Sequence, residues 1–108
     1  MDLIEKIQKI IANLYSQIDE LRYWGKKKVD AEREYHKALS KETMKERDKG
    51  TAIGVITLTV KGVEDVAEKR HERDYADVMY NATQELINIM KLDARITESQ
   101  IQREWGVK

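Results

Sequence analysis

The sequence contains no cysteine, no proline and no phenylalanine, and each absence argues against a class of fold or site. Without cysteine there is neither a disulfide framework nor a thiol nucleophile, and a structural zinc site is not expected. A β-sandwich or barrel would need turn residues roughly every 8–12 positions. Charged residues make up 37 % of the chain and aromatic residues only 6 %, a composition typical of a helical or coiled-coil protein.

The sequence also lacks a net charge and a long apolar run. Its 20 Lys and Arg residues balance 20 Asp and Glu residues, so no globally basic field points to nucleic acid. No apolar run approaches the roughly 18 residues that span a bilayer, and the N-terminus is acidic where a secretory signal is basic. We expect one domain, residues 1–108, of a soluble intracellular protein without a membrane partner.

Residues from about 2 to about 48 predict one long helix, because they contain no proline and a single glycine, Gly25. Apolar residues in the first half recur in alternating steps of three and four, the heptad pattern of paired helices. The phase shifts at Trp24 and Gly25, which leaves open whether the helix breaks there. The heptad positions are Ile4, Ile7, Ile11, Leu14, Ile18 and Leu21.

A second helix is predicted from about residue 63 to about residue 105. Its apolar positions drift around the helix, so this surface should contact more than one neighbour. A break near Met90 remains open. The apolar residues expected in the core or in an oligomer contact are Leu86, Ile89, Ile96 and Trp105.

Residues from about 49 to about 62, which include "GTAIGVITLTVKG", predict a connector between the helices. A phosphate-binding loop needs Lys and Ser or Thr directly after its glycines, whereas Gly54 is followed by Val-Ile-Thr-Leu. We therefore expect the apolar residues of the connector to cap the end of a bundle. A short extended piece that pairs with its symmetry mate is the alternative.

Charge favours an antiparallel hairpin of the two helices. Residues 22–49 contain ten Lys/Arg and six Asp/Glu, whereas residues 63–78 contain three Lys/Arg and six Asp/Glu. A bend near residue 55 lays these segments side by side. Two helices cannot cover an apolar surface this wide, so we predict an all-α hairpin that oligomerises, as a homodimer or higher, into a helical bundle.

The two histidines are the obvious candidates for a metal site or for acid–base chemistry. Glu68 and His71 have the Glu-x-x-His spacing of di-iron bundles, but Arg33 stands where a second glutamate should precede His36. No serine lies in a glycine elbow. We expect no catalytic residue, no metal and no cofactor, so a metal-dependent helical enzyme is the weakest functional class.

The sequence "RYWGKKK" combines two aromatic residues with four cations. Stacking together with phosphate pairing is how proteins hold single-stranded nucleic acid or free nucleotides. The alternative is that Trp24 belongs to the core stripe and the lysines project into water. The candidate binding residues are Arg22, Tyr23, Trp24, Lys26, Lys27 and Lys28.

Residues 55–106 resemble small helical proteins from the early regions of phages and prophages of Gram-positive bacteria. The shared features are "VKG" at residues 60–62, "YNATQE" at residues 80–85 and the ending "EWG" at residues 104–106. The resemblance implies the bacterial cytoplasm and a partner protein from the phage or its host. It favours a non-catalytic accessory of replication or recombination, or an inhibitor of a host defence protein, and it implies no catalytic residue.

Overall fold

The computed structural model describes residues 2–106 and builds them from three helices: α1 (Leu3–Asp48), α2 (Ile53–Lys61) and α3 (Glu64–Glu104). Helix accounts for 91 % of these residues, and the described part of the chain contains no strand. The two long helices pack together. The all-α prediction and the positions of both long helices are confirmed. Helix α1 continues through Gly25 and α3 continues through Met90.

Local interactions define both ends of α1. At the start, the side-chain oxygen of Asp2 accepts a hydrogen bond from the backbone N–H of Glu5 over 2.7 Å, which is an N-cap. At the end, Gly50 has a φ of 80°, in the left-handed region. The backbone N–H of Thr51 then donates to the Glu46 carbonyl over 3.1 Å, and that of Gly50 to the Arg47 carbonyl over 3.0 Å. This is a Schellman motif, which glycine fits without steric cost.

The prediction of a connector without helix between residues 49 and 62 is wrong for Ile53–Lys61, which form α2. An extended piece is wrong for the same reason. Ile56 and Val60 lie one turn apart, and both are buried. Burial of this pair outweighs the modest helix propensity of a β-branched run, because tertiary packing overrides local preference. Other apolar side chains of α2 are exposed, so capping of a bundle's end by the apolar residues of this segment stays a prediction.

The chain divides into two compact units, each containing parts of both long helices. Unit 1 comprises residues 2–23 and 80–106 of the described chain, and unit 2 comprises residues 24–79. A single domain of residues 1–108 stays a prediction.

Unit 2 is built around α2. Its core contains Tyr35 and Ala38 of α1, Ile56 and Val60 of α2, and Val66 of α3, with Leu39 and Val63 packed against them. Val60 and Val66 are fully buried, and complete burial of such a side chain contributes about 1.5–3 kcal/mol. The guanidinium of Arg73 lies over the Tyr35 ring at 4.3 Å, which adds a cation–π contact at the margin of this core.

Unit 1 packs the start of α1 against the end of α3 in antiparallel orientation. Lys6 Nζ lies 3.9 Å from Asp93 Oδ1, and Leu3 lies beside Gln100 and Arg103. The buried residues here are Ile10 of α1 and Thr83, Ile87 and Thr97 of α3.

Candidate interaction surface

None of the ten residues that the sequence predicts in the core or in an oligomer contact is buried within the single chain. Four are partly buried: Ile7, Leu14, Ile18 and Leu21. Six are exposed: Ile4, Ile11, Leu86, Ile89, Ile96 and Trp105. Their role as contacts between copies stays a prediction.

Sequence reasoning missed the residues that unit 1 does bury. Ile10 lies next to the heptad series, and Thr83 and Thr97 are polar. Thr97 satisfies its hydroxyl by donating to the carbonyl of Asp93 over 2.9 Å, so it can be buried without an unpaired group. Thr83, Ile87 and Thr97 lie on one side of α3, because alternating steps of four and three residues connect them. This helical spacing is the feature of the sequence that could have predicted their burial.

On α1, the residues on either side of Ile10 differ in character. One side carries an isoleucine row, in which Ile4, Ile11 and Ile18 follow one another at intervals of seven residues. The other side carries Lys6, which pairs with Asp93. From Lys6, steps of three and four define a polar row, which we call the α1 row: Lys6, Lys9, Asn13, Ser16 and Glu20.

Helix α3 carries an apolar row that includes Asp93. Steps of four and three define this α3 row: Ala82, Leu86, Ile89, Asp93 and Ile96. Ile89 is 61 % exposed, and Leu86 and Ile96 are exposed as well. Because Lys6 binds Asp93, the α1 row and the α3 row lie side by side on one face of unit 1. The isoleucine row belongs to the opposite face.

A shallow groove of about 240 Å³ continues this face toward the end of α3. Leu3, Gln100, Arg103 and Glu104 line it. The side-chain oxygen of Gln100, one turn beyond Ile96, is buried without a hydrogen-bond partner among the described residues. A buried acceptor of this kind costs stability until something donates to it.

In unit 2, the outward side of α2 is apolar. Ile53 is 87 % exposed and Leu58 is 74 % exposed, although they belong to the most apolar helix of the chain. Val55 and Met44 are also exposed. Unit 2 therefore offers a further apolar surface.

The structure does not bring the aromatic and basic residues of "RYWGKKK" to one side of α1, because consecutive side chains on a helix point about 100° apart. Arg22 lies 3.6 Å from Asp19, within unit 1. Lys26 donates a hydrogen bond to Asp30 over 2.6 Å, and this bond is the main cause of a lowered pKa of the Asp30 carboxyl.

Two further members of this stretch contact α3 within unit 2. Lys28 Nζ lies 2.9 Å from Asp77 Oδ1. The ring of Trp24 packs edge-on against Tyr75, with centroids 5.7 Å apart and planes at 76°. Tyr23 is 52 % exposed. Arg22, Lys26 and Lys28 are thus paired with carboxylates, and the Trp24 ring packs against Tyr75.

The histidines lie in separate surroundings. His36 Nε2 lies 3.7 Å from Glu32 Oε1, and the His36 ring lies beside that of Tyr35. His71 is exposed on α3. Within residues 2–106, no three or more His, Asp or Glu side chains cluster in a way that could hold a metal ion.

A polar cluster stabilises the turn after α1. The hydroxyl of Thr51 donates to Glu46 Oε2 over 2.6 Å, and Lys49 Nζ lies 3.6 Å from Glu46 Oε1. The hydrogen bond from Thr51 is the largest cause of a pKa of Glu46 below its ordinary value. The cluster supports the Schellman motif and has no free nucleophile, so we assign it a structural role.

Comparison of the chain with protein-family models, with curated proteins and with solved structures found no match. Among the described residues, no helix combines the length and the apolar character that crossing a bilayer requires. Unit 1 exposes the isoleucine row and the α3 row, and unit 2 exposes the apolar side of α2.

Proposed function

We propose that this chain is a non-catalytic protein that acts through protein–protein contacts as a homo-oligomeric helical bundle. The observation that carries the proposal is the alignment of exposed Leu86, Ile89 and Ile96 in one row of α3. Monomeric proteins expose single apolar side chains, but several exposed apolar side chains aligned along one helix are typical of a surface that another helix covers. These three side chains are 42–61 % exposed, so covering them removes further apolar area from water, at about 25 cal/mol per Å².

The isoleucine row is a second apolar surface of unit 1, to which a partner protein can bind. The isoleucine row and the α3 row belong to opposite faces of unit 1, so one can bind a second copy while the other binds a different protein. The resemblance of residues 55–106 to early-region phage and prophage proteins suggests the setting. The partner is then a phage or host protein in the bacterial cytoplasm, met either as an accessory of replication or recombination or by inhibition of a host defence protein.

Two experiments test this function. Sedimentation equilibrium should give a mass of at least twice the 12.7 kDa of one chain. A pull-down from phage-infected cells, with and without nuclease, should recover the same partner protein in both samples. A partner lost on nuclease treatment would count against protein–protein contact and for the alternative, binding of single-stranded nucleic acid or a nucleotide signal.

That alternative would use Arg22, Tyr23, Trp24 and the lysines from Lys26 to Lys28. Exposed Tyr23 favours it. The carboxylates that pair with Arg22, Lys26 and Lys28 weigh against it, since a phosphate would have to displace them. Steep loss of single-strand binding with added salt would support the alternative.

A further inference from the structure

The face of unit 1 that carries the α1 row and the α3 row is half polar and half apolar. The Lys6–Asp93 ion pair joins the two rows. Lys9, Asn13, Ser16 and Glu20 are exposed on the α1 side. Any occupant of this face must therefore match a polar helix and an apolar helix at the same time.

The spacing of the residues in the α1 row is the same in both chain directions. Its members, extended by one step to Tyr23, follow one another in steps of three, four, three, four and three residues. When a second copy of this row is laid over the first in reverse, Lys9 stands opposite Glu20, and Asn13 stands opposite Ser16. Opposite charges thus meet twice, and polar side chains meet between them. Neither Lys9 nor Glu20 has an ion-pair partner among the described residues.

We propose that a second copy of this chain covers this face in antiparallel orientation about a two-fold axis that crosses both helices at right angles. In this arrangement α1 lies on α1 and α3 lies on α3. Lys6 Nζ lies 3.9 Å from Asp93 Oδ1, so these two residues lie at the same level of α1 and α3, and the pairing of α1 fixes which residues of α3 meet. Leu86 of each copy then packs on small Ala82 of the other, and Ile89 continues the contact. This deepens the proposed oligomer, on which it rests, by naming its face and orientation.

The size of the face suits a dimer. Residues 3–23 of α1 extend about 30 Å at about 1.5 Å per residue, and two adjacent helices are about 20 Å wide. The face thus offers about 600 Å² per copy, or about 1,200 Å² in a pair, at the lower end of specific interfaces.

The isoleucine row offers no comparable self-pairing. Its positions in steps of four and three include only one charged residue, Arg22, which lies 3.6 Å from Asp19 of its own helix. In an antiparallel pair Arg22 would stand opposite an isoleucine. Charge complementarity therefore selects the α1 and α3 rows for the second copy.

Charge reversal tests the pairing in the full-length protein. Lys9→Glu and Glu20→Lys each create two like-charge contacts in the dimer and should each raise its dissociation constant about tenfold at low salt. The double variant restores both pairs with the charges exchanged, so it should dimerise like the wild type. Lys91→Glu, on a different side of α3, is the matched control and should leave the dissociation constant unchanged.

Cross-linking tests the orientation, and the absence of cysteine makes each introduced thiol unique. Mixed Lys9→Cys and Glu20→Cys proteins should form a disulfide between unlike chains. Lys9→Cys alone should not form a disulfide. Its two thiols would be about 16 Å apart along the axis of helix α1, at about 1.5 Å per residue, which is beyond the reach of a disulfide. A dimer that ignores both reversals, or that cross-links through Lys9→Cys alone, would overturn this orientation while leaving the proposed oligomer intact. A wild-type chain that stays monomeric would overturn both.

Discussion

Trp24 of α1 packs edge-on against Tyr75 of α3, with ring centroids 5.7 Å apart. In the sequence, Trp24 is a candidate for stacking on a nucleotide base. In the structure, this contact shows that Trp24 has a packing role inside unit 2. Edge-to-face pairs contribute about 0.5–1.5 kcal/mol beyond the area that they bury.

We expect Trp24→Ala to lower the free energy of unfolding by about 2–3 kcal/mol, because it removes both the ring contact and the buried area of a large side chain. Urea denaturation followed by circular dichroism measures the change. Tyr15→Ala is the control, since Tyr15 is 69 % exposed, and it should change the stability by about 0.5 kcal/mol or less. Equal effects of the two substitutions would contradict the packing role.

Gly50 and Gly54 should respond to alanine in opposite directions. Gly50→Ala places a Cβ at a φ of 80° and should cost about 1–2 kcal/mol. Gly54 lies inside α2 with nothing within 4 Å of an added Cβ, so Gly54→Ala should stabilise by about 0.5–1 kcal/mol. Thermal unfolding of both variants measures the difference. A destabilised Gly54→Ala variant would contradict the assignment of helix to Ile53–Lys61.

The Thr51–Glu46 hydrogen bond predicts a pH-dependent contribution to stability. The folded state holds the pKa of Glu46 below its ordinary value, so the contribution is fully present above that value. It is lost as the pH falls through the lowered pKa of the folded state. Thr51→Val removes the donor, so it should destabilise at neutral pH and differ progressively less from the wild type under acidic conditions.

Urea unfolding across this pH range measures the convergence. Thr59→Val is the control, because its hydroxyl donates to the Val55 carbonyl, which does not titrate. Its difference from the wild type should be the same at every pH. If the difference in stability between Thr51→Val and the wild type is also the same at every pH, the lowered pKa of Glu46 does not depend on the Thr51 hydroxyl.

Buried Thr97 should tolerate valine, whereas buried Val66 should not tolerate truncation. The carbonyl that accepts from the Thr97 hydroxyl is a backbone group of α3 with its own helical donor, so Thr97→Val leaves no group unsatisfied. We expect its stability within about 1 kcal/mol of the wild type or higher. Val66→Ala opens a cavity in the core of unit 2 and should cost about 2–3 kcal/mol. A large loss in Thr97→Val would mean that its hydroxyl has a further role.

The long helices could be predicted because their signals are local. The absence of proline and the recurrence of apolar residues, in heptad steps for α1 and in a drifting pattern for α3, placed both within about one residue of Leu3–Asp48 and Glu64–Glu104. Helix α2 was not predicted, because it is stabilised by burial of Ile56 and Val60 against residues of the long helices that are distant in the sequence, such as Tyr35.

The candidate surface was predicted less well, since its residues depend on which stripe of each helix the chain itself buries. The apolar stripe of α1 is too wide for one neighbour, so periodicity alone could not tell Ile10 from Ile11. The pairing of Lys28 with Asp77 also joins residues far apart in sequence. The Lys26–Asp30 and Arg22–Asp19 pairs, at spacings of four and three residues, are local and could be predicted from the sequence.

Coverage of the α3 row by a second copy can be measured by sedimentation equilibrium of the wild type and of the double variant Leu86→Asn/Ile89→Asn. We expect a wild-type mass of at least twice 12.7 kDa at about 10 μM and a monomeric double variant with unchanged helicity. The isoleucine-row variant Ile4→Asn/Ile11→Asn is the matched control and should keep the wild-type mass. A wild-type chain that sediments at 12.7 kDa, or a double variant that associates like the wild type, would contradict coverage of the α3 row by a second copy.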